Sequence, residues 1–200
     1  MFENKKYKFS RRLVLLAGAL TLALPQLAIA QSWPTKPIKL IIPFAAGGTT
    51  DILGRLLAQQ LTKDLGQNVI VENKGGAGGN IAAEFVAQSP ADGYTIMLAS
   101  GSMLTVNPSL YKKLPVNYSK DFVNITNVAS GPMLLSVSTK IPVKNLNEFI
   151  TYAKTKDLNF GSAGIGSQVH MAAENLTYAA NIPATHVPYK GESAAINDLV

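Results

Sequence analysis

The stretch "IIPFAAGGTTDILGRLL", residues 41–57, joins an apolar run to an amphipathic segment through two adjacent glycines. The run that leads into it, residues 38–44, is short and rich in isoleucine, as buried strands are. After the glycines, apolar residues recur at helical spacing over residues 52–65, and Gly66 is a typical helix stop. The stretch therefore predicts a strand, a tight turn and a helix, which is half of a βαβ unit.

The same order of strand, turn and helix repeats along the rest of the chain. Further strands are predicted at residues 68–73, 94–100, 133–139, 158–160 and 184–189, and further helices at residues 80–88, 146–154, 167–180 and from Ser193 onward. Asn145, with Glu148 three residues later, is a variant of the capping box that begins helices. We therefore predict an α/β protein with parallel-rich sheets flanked by helices.

This rhythm is interrupted once, over the less regular residues 101–132. The simplest interpretation is two α/β domains, the first over residues 31–132 and the second over residues 133–200, with the irregular stretch as the crossover. The sequence ends at "AAINDLV", inside an apolar helical pattern that has no cap. We therefore expect a chain truncated at its C-terminus, in which both domains are incomplete.

Residues 1–30 have the organisation of a cleaved signal peptide. Five basic residues precede an apolar core at residues 13–24, and Ala28-Ile29-Ala30 is a small-residue cleavage site. The alternative is a membrane anchor, but an apolar core of about 12 residues is shorter than the roughly 20 that span a bilayer. We predict export to the periplasm and cleavage after Ala30, with the Sec route favoured over the twin-arginine route that "SRRLVL" also suggests.

Removal of that peptide changes the charge of the protein. Five of the 18 basic residues and one of the 12 acidic residues lie within residues 1–30, so 13 and 11 remain and the net charge is +2. This small excess, with no cluster of basic residues, gives no support for a nucleic-acid partner. The chain has no cysteine, which excludes disulfides and thiolate metal sites.

Three predicted turns between a strand and a helix are rich in glycine. They are "AAGGTTD" (45–51), "NKGGAGGN" (73–80) and "GSAGIGSQVH" (161–170). Each would present unpaired backbone N–H groups and the positive end of a helix at the edge of a sheet where α/β folds bind ligands. A single loop of this kind could serve only to relieve strain in a tight turn. Three of them favour a site for a carboxylate or phosphate group.

Nucleotide binding is the first alternative for these loops. Two of them begin like a dinucleotide fingerprint, but the third small position is occupied by Ile81 in one loop and by Val169 in the other. The chain also lacks the G-x-x-x-x-G-K-[ST] phosphate loop. We therefore predict no nucleotide and no other cofactor.

Catalysis is the second alternative. Ser193 in "GESAA" resembles a nucleophile elbow, but Ala195 stands where the second glycine belongs. His170 could donate to a carboxylate or be a hydrogen-bonded histidine at a helix end, and His186 falls in a strand that we expect to be half-buried. The acidic residues show no metal-ligand spacing, as at Asp51, Glu84 and Asp92. We therefore predict neither a catalytic residue nor a metal site.

Hydroxyl side chains in the glycine loops are the strongest polar candidates for anion binding. Ser162 and Ser167 can each donate to an anion, while their glycine neighbours let the backbone approach it. Ser167, Thr49 and Thr50 equally suit the N-caps of helices. Asp51 would be favoured by the helix dipole but would repel an anion. We interpret Asp51 as structural or as a partner for an amino or hydroxyl group of the ligand.

Several long motifs, in order, resemble the Bug family, the extracytoplasmic substrate-binding receptors of tripartite tricarboxylate transporters. They are "WPTKPIKLIIPFAAGGTTD", "VIVENKGGAGGNIAAEFVAQSPADGYTIMLAS", "LNFGSAGIGSQVHMAAE" and "HVPYKGESAAINDLV". The resemblance runs from about Trp33 to the end of the chain. The chain departs from the commonest pattern at Ala46, where proline is frequent, and at Gly54, where alanine is frequent. We expect Gly54 to loosen its helix by up to about 1 kcal/mol.

The resemblance implies a two-domain periplasmic binding protein of the second structural type, which closes on a small carboxylate without an arginine clamp. It implies membrane components of a transporter as partners and a monomeric state for the complete protein. It also implies that the loops bind the ligand through backbone and hydroxyl groups, partly through water, with Lys190 as a further candidate. The ligand-binding residues so predicted are Phe44, Ala46, Gly47, Gly48, Thr49, Thr50, Ser100, Ser162, Gly164, Gly166, Ser167, His170 and Tyr189.

The ligand and its use stay open at this point. Backbone N–H groups recognise a carboxylate and not the molecule that carries it, so dicarboxylates, amino acids, aromatic acids and nicotinate-like acids are all admissible. A role as a ligand sensor in signalling is an alternative to transport. A periplasmic enzyme that acts on a small carboxylic acid is the alternative from another class of protein.

Overall fold

The structure, a computed structural model, describes residues 32–200, and Pro34–Val200 form one compact unit. The predicted signal peptide and its cleavage site lie outside the described residues. The strands are β1 (Ile38–Ile42), β2 (Val69–Asn73), β3 (Thr95–Met97), β4 (Leu158–Ser162) and β5 (Ala184–Pro188). The helices are α1 (Thr49–Leu65), α2 (Asn80–Ala87), α3 (Gly101–Thr105), α4 (Asn107–Leu110), α5 (Leu146–Ala153), α6 (Gln168–Ala180) and α7 (Glu192–Leu199).

The first sheet has the strand order β2-β1-β3, and all its strands are parallel. The central strand is fully buried at Leu40, Ile41 and Ile42, which explains its run of apolar residues. Helix α1 covers one face of the sheet, where Ala58 packs with Leu40 and Ile42 in one core cluster. The alternation of strands and helices along the sequence thus predicted a parallel sheet correctly.

Gly54 is the point of close contact between α1 and β1. It is buried, and a Cβ atom built on it would collide with the Cδ1 atom of Ile42. A glycine loses more conformational entropy in a helix than alanine does. Here the missing methyl group lets the helix approach the strand, so the expected loosening of the helix is offset by packing.

The second sheet consists of β4 and β5, which are parallel and in the register Leu158 with Ala184 through Ser162 with Pro188.

Two sequence signals for helix ends are confirmed. Gly66 ends α1 in the left-handed conformation, with its N–H bonded to the carbonyl of Thr62. Asn145 caps α5, because its Oδ1 accepts from the N–H of Glu148 at 3.0 Å.

One prediction of secondary structure is wrong. Residues 133–139 form no strand: their backbone pairs with no other strand in the described part of the chain, and Leu134 is 86% exposed. An apolar composition suits a strand but cannot supply the neighbour that its ladder requires. Within the irregular stretch 101–132, the structure has the two short helices α3 and α4. The domain boundary near residue 133 stays a prediction.

Candidate functional site

The second and third glycine loops line a cleft of about 430 Å³. Residues 76–78 line one side of it, and residues 163–165 and 188–190 line the other. Because parallel strands point the same way, the turns that follow them lie at the carboxyl edges of the two sheets, where α/β folds bind ligands. Of the predicted site residues, Gly164 and Tyr189 lie on the wall of the cleft, as does the further candidate Lys190.

Direct contacts hold the two sides of the cleft together. The Tyr111 hydroxyl donates to the carbonyl of Ile165 at 2.9 Å. Gly78 has a φ of 60° and faces the same carbonyl, where a Cβ atom would collide with the oxygen. A side chain at position 78 would therefore be strained and would also hold the loops apart. Gly78 thus allows the backbone of the second glycine loop to approach the backbone of the third loop at Ile165.

Asp51 organises the loop of residues 44–50. It is buried, and its carboxylate accepts from the Gly47 N–H at 2.9 Å, from Asn73 Nδ2 at 2.9 Å and from Arg55 Nε at 3.0 Å. Asn73 Nδ2 also donates to the carbonyl of Phe44 at 3.0 Å. Burial raises the pKa of Asp51, but hydrogen bonds from Arg55, Gly47 and Asn73 outweigh it and lower the pKa to about 2. The structural interpretation of Asp51 is confirmed.

The start of α1 receives a carboxylate from a distant part of the chain. Thr49 donates to Oε2 of Glu192 through both its N–H, at 3.0 Å, and its Oγ1, at 2.8 Å. Gly48 is the N-cap residue of α1 and makes no side-chain cap. The carbonyl of Ala46 accepts from Ser193 Oγ at 2.9 Å. Neutral donors of this loop therefore bind a carboxylate of the protein itself.

Thr50 and Ser100 complete the predicted first-domain set and lie apart from these contacts. Thr50 is a half-buried residue in the first turn of α1. Ser100 is the N-cap residue of α3, and its Oγ lies 3.1 Å from Oγ of Ser102. Neither residue lines the cleft, whose walls come from other parts of residues 76–190.

The hydroxyl groups of the loop 161–170 are already engaged. Ser162 is 2% exposed, and its Oγ lies 2.6 Å from His186 Nε2 and accepts from the Gly164 N–H at 3.1 Å. Ser167 caps α6, because its Oγ accepts from the N–H of His170 at 3.3 Å. The cap interpretation of Ser167 is thus confirmed, and both serines act on the shape of the loop.

His170 is a hydrogen-bonded histidine at a helix end, as one interpretation expected. Its Nδ1 accepts from the Gly166 N–H at 3.2 Å, and its Nε2 lies 3.4 Å from Glu174 Oε1. The His170 and His186 rings are in close contact, with centroids 3.9 Å apart and planes tilted by 31°. Burial lowers the pKa of His186, and the ring of His170 lowers it further. Both rings therefore support the loop through contacts within the protein.

Two residues that contribute to the site were not recognised from the sequence. Tyr111 crosses the cleft, and Glu192 binds the first loop. Glu192 was visible only as part of the "GESAA" motif, which drew attention to Ser193.

No group of three or more His, Asp or Glu side chains in residues 32–200 could hold a metal ion. In the same residues, no helix has the length and apolar character needed to cross a membrane.

Comparison with protein families gives a match over most of the chain. The sequence profile described as "Tripartite tricarboxylate transporter family receptor" matches residues 53–200. The chain is 36% identical to the protein BugT of Bordetella pertussis over 174 residues, which are 86% of this chain and 53% of that protein. It is 34% identical to a protein of the tcbD-tcbE intergenic region of Pseudomonas sp. strain P51, with 95% and 57% covered.

Comparison with solved structures gives matches at a similar level of sequence identity. Rpa4515 of R. palustris with adipate has a TM-score of 0.81 and 37% identity, with 84% of this chain and 56% of that chain covered. MatC of Rhodopseudomonas palustris with bound malate has a TM-score of 0.74 and 33% identity, with 84% and 57% covered. The periplasmic binding protein BugD has a TM-score of 0.73 and 36% identity, with 84% and 56% covered. The prediction of an α/β periplasmic binding protein fold is confirmed.

The chain spans 52 to 59% of the length of the curated relatives it matches.

Proposed function

The chain belongs to the family of tripartite tricarboxylate transporter receptors, and from this premise we propose that it is an extracytoplasmic solute-binding receptor for a small carboxylate. In this proposal the ligand is captured among the three glycine loops, at residues 45–51, 73–80 and 161–170. It is then delivered to the membrane components of a tripartite transporter. The complete protein acts as a monomer with two domains, separated near residue 133. The family consists of solute-binding receptors, and no catalytic step is part of the proposal.

One observation carries the proposal: the first glycine loop already binds a carboxylate with neutral donors. The Thr49 N–H and hydroxyl both donate to Oε2 of Glu192, at the N-terminal end of a 17-residue helix. Backbone N–H groups and the helix dipole favour an anion at this position without a positive side chain. A ligand carboxylate has the same chemistry as the Glu192 side chain.

Residues outside the walls of the cleft and residues on or near them contribute in different ways. At the first glycine loop and the start of α3, which do not line the cleft, we propose that the ligand contacts Phe44, Ala46, Gly47, Gly48, Thr49, Thr50 and Ser100. At the third glycine loop and the end of β5 we propose contacts with Gly164, Gly166 and Tyr189, while Ser162, Ser167 and His170 hold the loop in shape. The buried positions of Ser162 and His170 support this division, because their polar atoms already have partners within the protein.

Adipate and malate, the acids bound in two similar structures, each have two carboxyl groups. This supports a small dicarboxylate as the ligand class for the present chain. One carboxyl group would reach the first loop, and the remainder of the molecule would lie in the cleft between residues 76–78 and 163–165. A cleft of about 430 Å³ is of the size that such acids need.

Export by a signal peptide over residues 1–30 is part of the same proposal. BugD, a similar structure, is described as a periplasmic binding protein, which supports a periplasmic location. N-terminal sequencing of the protein from the periplasm should give Gln31 as the first residue. A sequence that begins with Met1 would contradict the cleavage.

Hydrolysis is disfavoured by the position of the Ser162–His186 pair. The two side chains are at hydrogen-bond distance, as in a nucleophile and its base. Ser162 is 2% exposed, however, and its Oγ also accepts from the Gly164 N–H. A substrate carbonyl could not reach such an oxygen without opening the loop.

Calorimetric titration of the intact protein with malate, adipate and succinate tests the function directly. Binding of at least one of these acids is expected, and its dimethyl ester, similar in shape but without charge, should not bind. Native mass spectrometry of protein purified without refolding would identify an acid that is already bound. Equal binding of acid and ester would contradict recognition of a carboxylate.

A further inference from the structure

We propose that Glu192 is a tethered competitor of the ligand, which occupies the loop of residues 44–50 until a ligand carboxylate displaces it. The inference rests on the proposed function and adds to it a residue that sets affinity. Glu192 lies at the start of α7, beside the cleft residues 188–190, and reaches a loop 143 positions away in sequence.

The contact has the geometry of a bound anion. A single oxygen, Oε2 of Glu192, accepts both the N–H of Thr49 at 3.0 Å and its hydroxyl at 2.8 Å. The same oxygen lies beside Gly48, 3.6 Å from the position that a Cβ atom would take there. Helix α1 has no side-chain cap of its own at Gly48. Glu192 therefore provides, from another segment, the negative charge that this helix end favours.

A ligand carboxylate cannot share this position with Glu192. Both are anions, they require the same two donors of Thr49, and like charges at such short range repel. The Gly47 N–H is not free either, because it is bonded to Asp51. Binding of a carboxylate to the two donors of Thr49 consequently requires that the Glu192 side chain leave them.

Departure of the side chain does not require the two segments to separate. Ser193 Oγ still donates to the carbonyl of Ala46 at 2.9 Å, and the Ala45 N–H to the carbonyl of Lys190 at 3.1 Å. Gly191 also packs against Ala45. Glu192 is half-buried and has access to solvent, so it can rotate into water while these contacts remain. Displacement is thus a local side-chain movement.

Two variants at position 192 and one control distinguish two roles for Glu192. In one role its carboxylate competes with the ligand for the donors of Thr49, and in the other it only holds the two segments together. Glu192→Ala frees both donors of Thr49, and Glu192→Gln removes the charge but keeps the size of the side chain. Ser193→Ala removes a neighbouring contact of the same two segments and leaves the carboxylate in place. Thermal unfolding without ligand checks that all three variants are folded.

The test is calorimetric titration of the intact protein and its variants with malate and with adipate. Competition predicts that Glu192→Ala binds about 10-fold more tightly, because no hydrogen bonds to Glu192 have to be given up. Glu192→Gln should fall between Glu192→Ala and the wild type, and Ser193→Ala should bind within about 2-fold of the wild type.

Unchanged or weaker binding by Glu192→Ala, where the wild type binds, would overturn the inference and leave the receptor function intact. Weaker binding by both Glu192→Ala and Ser193→Ala would show that the contacts hold the loops in a binding shape. Absence of binding by the wild type and all variants would instead overturn the proposed function, and the inference with it.

Discussion

Ser162 and His186 connect the two strands of the second sheet through a contact of 2.6 Å between Oγ and Nε2. Ser162 ends β4, and His186 lies in the middle of β5, opposite Phe160. The Phe160 ring is stacked on that of His186, with centroids 5.0 Å apart. The polar contact, whose serine is buried and whose histidine is half-buried, and the aromatic stack beside it therefore help to fix the strands and the glycine loop that follows β4.

Replacement of Ser162 by alanine should destabilise the protein by about 1–3 kcal/mol, because His186 Nε2 and the Gly164 N–H would both lose a buried partner. Urea unfolding of the intact protein measures the change in free energy. The exposed Ser109→Ala is a suitable control and should change stability by less than about 0.5 kcal/mol. Equal stability of Ser162→Ala and the wild type would show that the contact contributes nothing.

Ser167→Ala should destabilise the protein by about 1 kcal/mol through loss of the cap on the His170 N–H. Ser167→Asn keeps a capping oxygen and should retain most of the stability. Unfolding of both variants in urea distinguishes them. A loss of the same size in the asparagine variant would mean that the hydroxyl has a role beyond the cap.

Asp51 should make the protein sensitive to acid. Its pKa is about 2 in the folded protein, against an ordinary value of 3.8 for an aspartate, so between pH 2 and 3.8 the unfolded chain binds more protons than the folded one. The stabilisation is therefore complete above pH 3.8 and is lost as the pH falls towards 2, with a total of about 2 kcal/mol. Urea unfolding between pH 5 and 2, compared with Asp51→Asn, measures this loss, which the variant should lack.

Gly54→Ala should destabilise the protein by about 1–3 kcal/mol, although alanine is the better helix former. The added methyl group would collide with Ile42 Cδ1. Ile42→Val removes that atom, so the double variant should be more stable than the sum of the single changes predicts. A double-mutant cycle from urea unfolding gives this coupling. Additive effects would show that the methyl group is accommodated elsewhere.

Tyr111→Phe should weaken ligand binding by about 2- to 10-fold, the range expected for one hydrogen bond. The ring would remain, but its bond to the carbonyl of Ile165 across the cleft would be lost. Titration with malate or adipate measures the affinity. Tyr178→Phe, at an exposed tyrosine, is the control, and a similar effect of both changes would argue against a role for Tyr111 in closing the cleft.

Local patterns predicted the sheets and loops because each depends on neighbouring residues. The isoleucines of β1 and the turn at Gly47 and Gly48 belong to one short segment, so hydrophobicity and glycine were sufficient. The strand at residues 133–139 failed because strand formation requires a partner, which composition does not reveal.

The sequence indicated which loops form the candidate site, but not which of their polar groups are already hydrogen-bonded within the protein. Ser162, Thr49 and His170 were recognised from the sequence as polar groups of the glycine loops. Their partners, His186, Glu192 and the Gly166 N–H, follow from the fold. Glu192 is 143 positions from Thr49, and no spacing rule connects residues at that distance.

The three hydrogen bonds to Asp51 have a consequence for the rate of ligand capture. They fix the backbone of residues 44–50 when the protein folds, since Gly47, Asn73 and Arg55 all belong to the segment from β1 to β2. A loop that is already ordered loses little conformational entropy when a ligand arrives. The encounter should therefore proceed at a rate set by diffusion and by rotation of one glutamate side chain, with no slow ordering phase in a stopped-flow trace.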